Sequence, residues 1–519
     1  MIHRSPLPDV PVPDISLTDY VLGGAAGREH KAALIDGPSG RGMGYAQLAV
    51  AIRSLAGGLV AAGFRKGDVL ALMAPNCPEY AVVFHAAAMA GGAVTPVNPA
   101  GTEEEIHHQL DDSGAAVLIT IPPLVPAGLR ASTGTDVSQV YALGEAAGIA
   151  EVADLAGPPL AGQVPVAPDD VVALPYSSGT TGLPKGVMLT HRNLVANIAQ
   201  TLGGGLIGED DTLVAVMPFF HIYGMQVLMN CGLRAGGTIV TLPRFDLAQF
   251  LQANQDYRAT RSFVVPPIML ALARHPLVDN YDLSALQLLG CGAAPLKPEL
   301  AEECAARLDC PVGQGYGMTE VSSISHLTPP GWYRPGSAGV TAPGTLTRIV
   351  DPATGDDLGT GADGEIWVRG PQVMKGYLGN AAATAAILDG DGWLHTGDLG
   401  HVDSDGHLYI VERLKELIKY KGFQVPPAEL EALLLEHPDV SDAAVIGLPD
   451  PEAGEIPAGY VTLRVGASAT TQEIQQFVAA RVAGYKQLQR LEVIEAIPRS
   501  PAGKILRRVL RTSALDQVA

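Results

Sequence analysis

Short apolar segments alternate with longer helix-like segments through the first half of the chain, and this alternation most constrains the fold. Residues 45–64 have the spacing of an amphipathic helix, and the apolar run 68–74 follows as a buried strand closed by the turn "PNCP". Helix-like residues 79–92 lead into "AVTPVN", and "AAVLITI", "TLVAV" and "GTIVTL" repeat the strand pattern. The alternation predicts an α/β fold with mostly parallel sheets.

The sequence pattern changes near residue 345, which predicts further structural units. Short strands separated by Gly and Asp turns, as in "GWLHTGDLGHVDSDGHLYIVER", are typical of a small β subdomain. Helical "PAELEALLLEHPDV" and strand-like "DAAVIGLP" then indicate a compact α+β domain with as many basic as acidic residues. Because 519 residues are too many for one core, we place a domain boundary at Glu412, between domains at 1–411 and 413–519.

Charge and cysteine usage narrow the classes of function and the compartment. A formal net charge of -20 argues against a nucleic-acid partner that is bound through its phosphates. The five cysteines are widely spaced without a C-x-x-C pair, which is typical of a reducing compartment and predicts no structural zinc. The N-terminal "MIHRSPLPDVPVPD" has no apolar signal core, and the most apolar run, 81–94, is too short to span a bilayer. We therefore predict a cytoplasmic protein without membrane insertion.

The segment "SSGTTGLPKG" at 177–186 is rich in residues that suit neither a helix nor a strand. A Gly/Ser/Thr loop can turn backbone N–H groups towards an anion, and hydroxyls and a lysine add further donors. A P-loop requires Ser or Thr after the lysine, but Gly186 follows Lys185, and the next helix begins only near His191. The segment therefore predicts a phosphate-binding loop of another kind, with a plain hairpin turn as the alternative.

The stretch "YSSGTTGLPKGVMLTHRN" resembles the phosphate loop of the adenylate-forming superfamily, which includes acyl- and aryl-CoA synthetases, nonribosomal adenylation domains and firefly luciferase. Further segments resemble motifs of that superfamily in the same order: "PFFHIYG" (218–224), "GAAP" (292–295), "GQGYGMTE" (313–320), "GWLHTGDLG" (392–400), "ERLKELIKYKGFQVPPAELE" (412–431) and "PRSPAGKILRR" (498–508). Within the superfamily, "ELIKYKGFQVPPAELE" is most similar to 4-coumarate:CoA ligases and their bacterial relatives.

The resemblance implies a reaction in two halves. A carboxylate attacks the α-phosphate of ATP to give an acyl adenylate and pyrophosphate, and the thiol of coenzyme A then displaces AMP. The implied ligands are ATP, Mg²⁺, coenzyme A and a small carboxylic acid, bound by a monomer or homodimer. The implied fold is a large N-terminal domain of α/β sheets with a small β subdomain, and a mobile small α+β C-terminal domain. The hinge is Glu412, where close relatives usually have Asp.

Both reactants of the first half-reaction are anions, so the site needs cations and preorganised donors. By resemblance, Lys504 reaches the attacking carboxylate and the α-phosphate. Thr319 donates to the same phosphate, Glu320 holds Mg²⁺, and His221 lies at the mouth of the acid pocket. Considered without the other motifs, Lys504 is typical of a solvated charge and His221 of a core histidine. Glu320 is similarly typical of an exposed carboxylate at a helix start.

The other ligand-binding assignments also come from the resemblance. The β- and γ-phosphates are assigned to Ser177, Ser178, Gly179, Thr180, Thr181, Gly182 and Lys185. The nucleotide is assigned to Gly292, Ala293, Gln314, Gly315, Tyr316, Asp398, Arg413 and Lys415, with the Asp398 carboxylate at the ribose. Nucleotide and coenzyme A in the second domain orientation are assigned to Lys419, Lys421, Gly422, Gln424 and Arg244. On its own, Asp398 also fits a structural turn between glycines.

The acid pocket is assigned to Tyr223, Val227, Gly317 and Ile324. Tyr223 matches the tyrosine that faces the para substituent in coumarate ligases, whereas Val227 stands where plant enzymes often have serine. An aromatic ring would still be well buried there. Cinnamate-type aryl acids are therefore the first expectation, and medium-chain fatty acids are the alternative. A luciferase-like oxidoreductase would share every adenylation motif and is a third possibility.

Overall fold

The computed structural model describes residues 1–25, 27–177, 184–421, 423–500 and 503–516. It has a large N-terminal domain with two α/β sheets and a smaller β sheet, followed by a small C-terminal domain with its own sheet. The predicted α/β fold class is confirmed. None of the helices in the described ranges is both long and apolar enough to cross a bilayer.

Helices and strands alternate through the large domain. The strands are β1 (Ile2–Arg4), β2 (Ala32–Asp36), β3 (Gly42–Gly44), β4 (Val69–Met73), β5 (Ala93–Pro96), β6 (Ala115–Thr120), β7 (Gln139–Ala142), β8 (Ala150–Glu151), β9 (Val171–Ala173), β10 (Tyr176–Ser177), β11 (Lys185–Thr190), β12 (Thr212–Ala215), β13 (Thr238–Thr241), β14 (Arg261–Val264), β15 (Leu288–Cys291), β16 (Val312–Gln314), β17 (His326–Leu327), β18 (Val340–Thr341), β19 (Leu346–Val350), β20 (Gly364–Arg369), β21 (Gly376–Tyr377), β22 (Leu394–Val402), β23 (Leu408–Arg413), β24 (Ile418–Tyr420), β25 (Phe423–Val425), β26 (Val440–Asp450), β27 (Gly454–Leu463) and β28 (Arg490–Val493). The α-helices are α1 (Leu17–Leu22), α2 (Tyr45–Ala61), α3 (Pro78–Met89), α4 (Glu103–Ser113), α5 (Val125–Ala131), α6 (Val152–Leu155), α7 (His191–Gly203), α8 (Gly232–Ala235), α9 (Leu247–Asp256), α10 (Pro266–Arg274), α11 (Pro298–Leu308), α12 (Ala381–Ala385), α13 (Pro427–Glu436), α14 (Thr471–Ala479) and α15 (Arg507–Asp516).

The two large sheets are mostly parallel, as the alternation predicted. One has the order β10-β11-β9-β5-β4-β6-β7-β8 with β21 beside β11, and the other has the order β16-β15-β14-β12-β13-β2-β3. Strand β4 is buried on both faces: Leu70 and Leu72 join one hydrophobic cluster, and Ala71 and Met73 join another. A strand covered on both faces is apolar throughout, which is why "DVLALMA" has no polar alternation.

The small antiparallel sheet has the order β1-β19-β20-β22-β23. Its last four strands lie in the segment predicted as a β subdomain, but the N-terminal strand β1 adds an edge that the sequence did not predict. Ile2 pairs with Arg348 across most of the domain's length in sequence, and such a distant pairing has no local signal. Strand β23 runs through Glu412 and ends at Arg413, so the strand continues past the predicted boundary.

The C-terminal domain packs helices on both faces of a sheet with the order β25-β24-β27-β26 and β28 beside β27. Alternate residues of β26 point to opposite sides. Val445 lies in the cluster that contains residues of α13 and α14, whereas Ile446 lies in the cluster that contains Leu510 of α15. This domain therefore has its own cores, distinct from those of the large domain.

Helix α7 connects the phosphate-loop strand β11 to the back of the site. It begins at His191, where the sequence predicted it. The Thr190 hydroxyl accepts from the Asn193 N–H at 3.2 Å, and the Asn193 side chain accepts from the Thr190 N–H at 2.9 Å, which is a reciprocal N-terminal cap. Farther along, the Asn197 amide donates to the carbonyl of Ile324 at 2.7 Å. The helix thereby holds a loop that lines the site.

Candidate active site

A cavity of about 1150 Å³ lies where the carboxyl ends of β15 and β16 meet the C-terminal domain. The segments that follow adjacent parallel strands are the usual position of a ligand site in an open α/β sheet. The structure brings together around this cavity many of the residues singled out in the sequence: Ser177, His221, Tyr223, Val227, Gly292, Ala293, Gln314, Gly315, Tyr316, Gly317, Thr319, Glu320, Ile324, Arg413, Lys415 and Lys504.

Other sequence-predicted residues lie beside the cavity, away from it, or outside the described residues. Lys185 and Asp398 contact lining residues, as detailed below. Arg244, Lys419 and Lys421 are exposed and do not line it. Six predicted residues and one side chain lie outside the described residues: Ser178, Gly179, Thr180, Thr181, Gly182, Gly422 and the side chain of Gln424.

The segments after β15 and β16 require small residues. A Cβ on Gly292 would lie 3.4 to 3.5 Å from the Tyr223 ring, and Ala293 has a positive φ of 68°. A Cβ on Gly317 would lie 1.7 Å from the carbonyl oxygen of Ser323, so only glycine fits there. The backbone can therefore form one flat wall of the cavity, as a purine ring requires.

Asp398 is held at the end of this wall by two partners. The Tyr316 hydroxyl donates to Oδ2 at 2.7 Å, and Arg413 Nε donates to Oδ1 at 2.7 Å. The Asp398 residue is 5% exposed and lies within β22, opposite Arg413 on β23, so the alternative of a structural turn is wrong. Burial first, and then the negative charge of Asp398, raise the pKa of Tyr316. The pair Asp398–Arg413 provides oriented acceptors and a donor beside the cavity.

Glu320 is buried at 5% exposure in the short 3₁₀ turn Thr319–Val321, so it is not an exposed carboxylate at a helix start. The hydroxyls of Ser177 and Tyr377 each donate to Glu320 Oε1 at 2.8 Å. The Lys185 ammonium lies over the Tyr377 ring, 5.1 Å from its centroid. Tyr377 therefore links the phosphate-loop lysine to this carboxylate.

Tyr377 is a site residue that the sequence reasoning missed. It lines the cavity from β21, which pairs with β11 so that Tyr377 is opposite Val187. Its partner Glu320 is 57 residues away in the sequence, and the pattern around it is only that of a strand. No local signal could have identified it.

Lys504 enters the cavity from the C-terminal domain. Burial first, and then the charge of Arg413, lower the pKa of Lys504. Burial first, and then the charge of Lys504, lower the pKa of His221 to about 4. His221 is therefore neutral at pH 7, and its Nδ1 accepts from the Tyr223 N–H at 3.2 Å. The solvated-charge and core-histidine alternatives are both wrong, because both residues line the cavity.

The acid end of the cavity begins at an unusual helix. Residues Tyr223–Cys231 form a π-helix, a geometry that is rare and common at functional sites. This helix carries Tyr223, whose hydroxyl has only a long hydrogen bond of 3.4 Å to the Val264 carbonyl, and Val227, which is fully buried. Further apolar walls, which the sequence analysis did not single out, are Phe263, Leu288 and Leu327. This end is an apolar slot with one phenolic hydroxyl.

The C-terminal domain touches the large domain around the loop that carries Lys504. A Cβ on Gly503 would lie 3.3 Å from Val265 and 3.6 Å from Pro267 at the start of α10. The Lys297 ammonium donates to the Ala432 carbonyl of α13 at 2.6 Å. In this orientation Lys504 faces the cavity.

The arrangement matches known enzymes along the whole chain. The AMP-binding enzyme family model matches residues 24–378, and the AMP-binding enzyme C-terminal domain model matches residues 429–504. The 4-coumarate–CoA ligase 5 of Oryza sativa subsp. japonica is 43% identical over 524 residues, which cover 98% of this chain and 97% of that relative.

Solved structures agree with this similarity. ATP-bound MatB from Rhodopseudomonas palustris is 30% identical with a TM-score of 0.90, and the match covers 98% of this chain and 100% of MatB. The anthranilate CoA ligase AuaEII in complex with anthranoyl-AMP is 25% identical with a TM-score of 0.89, and the match covers 98% of this chain and 99% of AuaEII. On the family match and the near full-length identity, this chain belongs to the AMP-binding enzyme family, the adenylate-forming enzymes that its motifs resemble.

Proposed function

We propose that this protein is an AMP-forming ligase that joins a cinnamate-type aryl acid to coenzyme A through an acyl adenylate. The observation that carries the proposal is the position of Lys504. Its side chain lines the same cavity as His221 at the acid end and Glu320 at the nucleotide end. A cation between an acid slot and a phosphate site is what the attack of a carboxylate on a phosphate requires.

The first half-reaction then divides among residues on the cavity wall. The Lys504 ammonium offsets the repulsion between the carboxylate and the α-phosphate and stabilises the negative charge of the transition state. Thr319 donates its hydroxyl to the same phosphate. Neutral His221 lies between Lys504 and the acid slot, so it excludes water there without adding a second positive charge.

The nucleotide is held at both ends. Asp398 accepts from the ribose hydroxyls, since each of its oxygens has capacity beyond the bonds to Tyr316 and Arg413. Ser177 and Lys185 bind the β- and γ-phosphates, together with the rest of the loop 177–185. The adenine ring lies along the wall that Gly292, whose Cβ position faces Tyr223, helps to form.

Glu320 fits a magnesium ion that ATP brings with it. The hydrogen bonds that the described residues make to this carboxylate both fall on Oε1, which orients the group and leaves Oε2 towards other ligands. Mg²⁺ is usually held by one or two carboxylates and by substrate phosphates, and one buried carboxylate at this place suits that preference. When bound, the ion would neutralise charge on the phosphates.

The apolar slot supports an aryl acid. Tyr223 offers a flat ring and a poorly satisfied hydroxyl, and Val227 and Ile324 add apolar walls. Relatives named 4-coumarate–CoA ligase share 41 to 43% identity, which is the second support for this substrate class. The buried Val227 also suits an alkyl chain, so a medium-chain fatty acid is the second candidate.

The thioester half-reaction needs the Lys504 position to be vacated, because the thiol approaches the adenylate from the same side. We propose that the C-terminal domain, 413–519, turns about Glu412 for this step. The exposed Lys419 and Lys421 would then face the nucleotide and coenzyme A. Exposed Arg244 of the large domain would meet the phosphates of coenzyme A.

A coupled pyrophosphate assay tests the proposal. Cinnamate, 4-coumarate and octanoate are each offered with MgATP, with and without coenzyme A, and the acyl-CoA product is identified by mass spectrometry. We expect pyrophosphate release that depends on the acid, and a cinnamoyl or coumaroyl thioester only with coenzyme A. Faster turnover of octanoate than of either aryl acid would replace the aryl acid by a fatty acid. The absence of acid-dependent pyrophosphate release would overturn the ligase itself, and oxygen-dependent light from a luciferin would indicate the oxidoreductase alternative.

A further inference from the structure

We propose that Asp442 and Arg499 form a clamp that positions Lys504 for adenylate formation, which makes Asp442 a positioning residue of the reaction. The inference rests on the proposed function, because it assigns a partner to the lysine of the first half-reaction. Asp442 belongs to β26 and does not line the cavity, whereas Arg499 lines it beside Lys504. Asp442 therefore acts through Arg499.

The guanidinium of Arg499 makes three hydrogen bonds with separate purposes. Its Nε donates to Asp442 Oδ2 at 3.2 Å, and one terminal nitrogen donates to Asp442 Oδ1 at 2.7 Å. The other terminal nitrogen donates to the carbonyl of Gly503 at 2.9 Å. Two contacts to one carboxylate fix the plane of a guanidinium, so the third donor is aimed at the residue directly before Lys504.

The loop that receives this bond is a tight turn closed at its base. Arg499 and Ile505 form an antiparallel bridge, and the Ser500 N–H donates to the Lys504 carbonyl at 2.8 Å. The Lys504 N–H donates to the Ser500 hydroxyl at 3.2 Å. Lys504 thus leaves the turn with its backbone N–H and C=O both bound, and only its side chain remains to be directed.

Directing that side chain requires an anchor outside the turn. The ammonium gives up water when it enters the cavity, and a loose turn would return it to solvent. The same turn also contacts the large domain, since the Gly503 Cβ position faces Val265 and Pro267. Strand β26 is a long central strand of the C-terminal sheet, so Asp442 joins the turn to the most rigid part of its domain. The clamp makes the position of Lys504 a property of the whole C-terminal domain.

The variant Asp442→Asn removes the charge and keeps the shape, including an acceptor for the Ala443 N–H, which now binds Asp442 Oδ1 at 2.9 Å. We expect adenylate formation, followed as acid-dependent exchange of pyrophosphate into ATP, to slow about tenfold, the usual effect of losing a charge-assisted hydrogen bond. KM for ATP and for the acid should stay within about twofold of wild type, because the clamp does not touch either substrate. Thioester formation from a supplied cinnamoyl adenylate should not change.

The matched control is Arg511→Gln. Arg511 also donates to a backbone carbonyl, that of Gly447 at 3.2 Å, and lies 3.9 Å from the Glu455 carboxylate, but it is far from the Lys504 turn in the sequence and does not line the cavity. Its exchange rate should match wild type. A double variant decides the route of the effect: Asp442→Asn combined with Lys504→Ala should be no slower than Lys504→Ala alone, because the clamp acts only through that lysine.

A second measurement needs no activity. The rate at which an amine-reactive reagent labels Lys504, read by peptide mass spectrometry in the full chain, should rise several-fold in Asp442→Asn and stay at the wild-type value in Arg511→Gln. If the wild type forms no adenylate with any acid, the proposed function fails and this labelling still decides the clamp. Unchanged labelling of Lys504 in Asp442→Asn, or a further loss of exchange in the double variant, would overturn the clamp.

Discussion

Replacing Lys504 by alanine should separate the two half-reactions. The pKa of Lys504 is lowered by its burial, so the cation lies in an environment less polarisable than water. At an effective dielectric of about 20, opposite unit charges about 4 Å apart attract by about 4 kcal/mol. Since each 1.36 kcal/mol corresponds to tenfold in rate, adenylate formation should slow about a thousandfold. Loss of a partly desolvated charge should leave the melting temperature unchanged or raise it, so unfolding cannot explain the loss.

The assay compares the two steps in one preparation. Adenylate formation is followed as acid-dependent exchange of pyrophosphate into ATP, and the second step as thioester release from supplied cinnamoyl adenylate and coenzyme A. Only the first should slow, because Lys504 faces the cavity in one domain orientation. Lys375→Ala is the control, since Lys375 is exposed and donates only to the Asp169 carbonyl at 3.2 Å among the described residues. Equal losses in both steps, or a loss below about tenfold in the first, would refute the reasoning.

Three further predictions concern stability and specificity. Burial lowers the pKa of His221 to about 4 and that of His326 to about 3, so the unfolded chain, whose histidines titrate near 6.5, binds more protons between these values. The free energy of unfolding should therefore fall as pH drops from about 6.5 to 4, and a melting temperature that is constant across this range would contradict it. Glu412 accepts from the Ala428 N–H at 2.8 Å and caps α13, so Glu412→Ala should cost about 1 kcal/mol in a denaturant titration, whereas Glu412→Gln, which keeps an acceptor, should cost less. Val227→Ser should raise kcat/KM for 4-coumarate relative to cinnamate several-fold, as one hydrogen bond allows; an unchanged ratio in parallel assays would remove Val227 from the para position.

Much of the architecture was accessible from local sequence. The strand 68–74 and the helix from Tyr45 were predicted from apolar spacing, and both appear, with α2 ending at Ala61. The start of α7 at His191 was also predicted, and the capping pair Thr190 and Asn193 gives its physical cause. These features depend on neighbours within a few residues, which a sequence displays directly.

Other features depend on partners that the sequence does not bring together. The sequence alone allowed Asp398 a place in a turn, and only the pairing of β22 with β23 puts its carboxylate against Arg413. Tyr377 was missed because its role follows from contacts with Glu320 and Lys185, which are distant in the chain. Long-range pairing has no local signature, so no reading of the surrounding residues could have supplied it.

By itself the sequence determined the α/β class, the order of the motifs and the residue types that a reaction between two anions requires. Only the tertiary structure decided which of those residues share a cavity, and in which domain orientation. Lys504 is a solvated charge or a partner of the reacting groups depending solely on how the C-terminal domain packs on the start of α10. The physical reason is that burial and charge pairing, which set the pKa values of Lys504 and His221, arise from contacts between segments far apart in the chain.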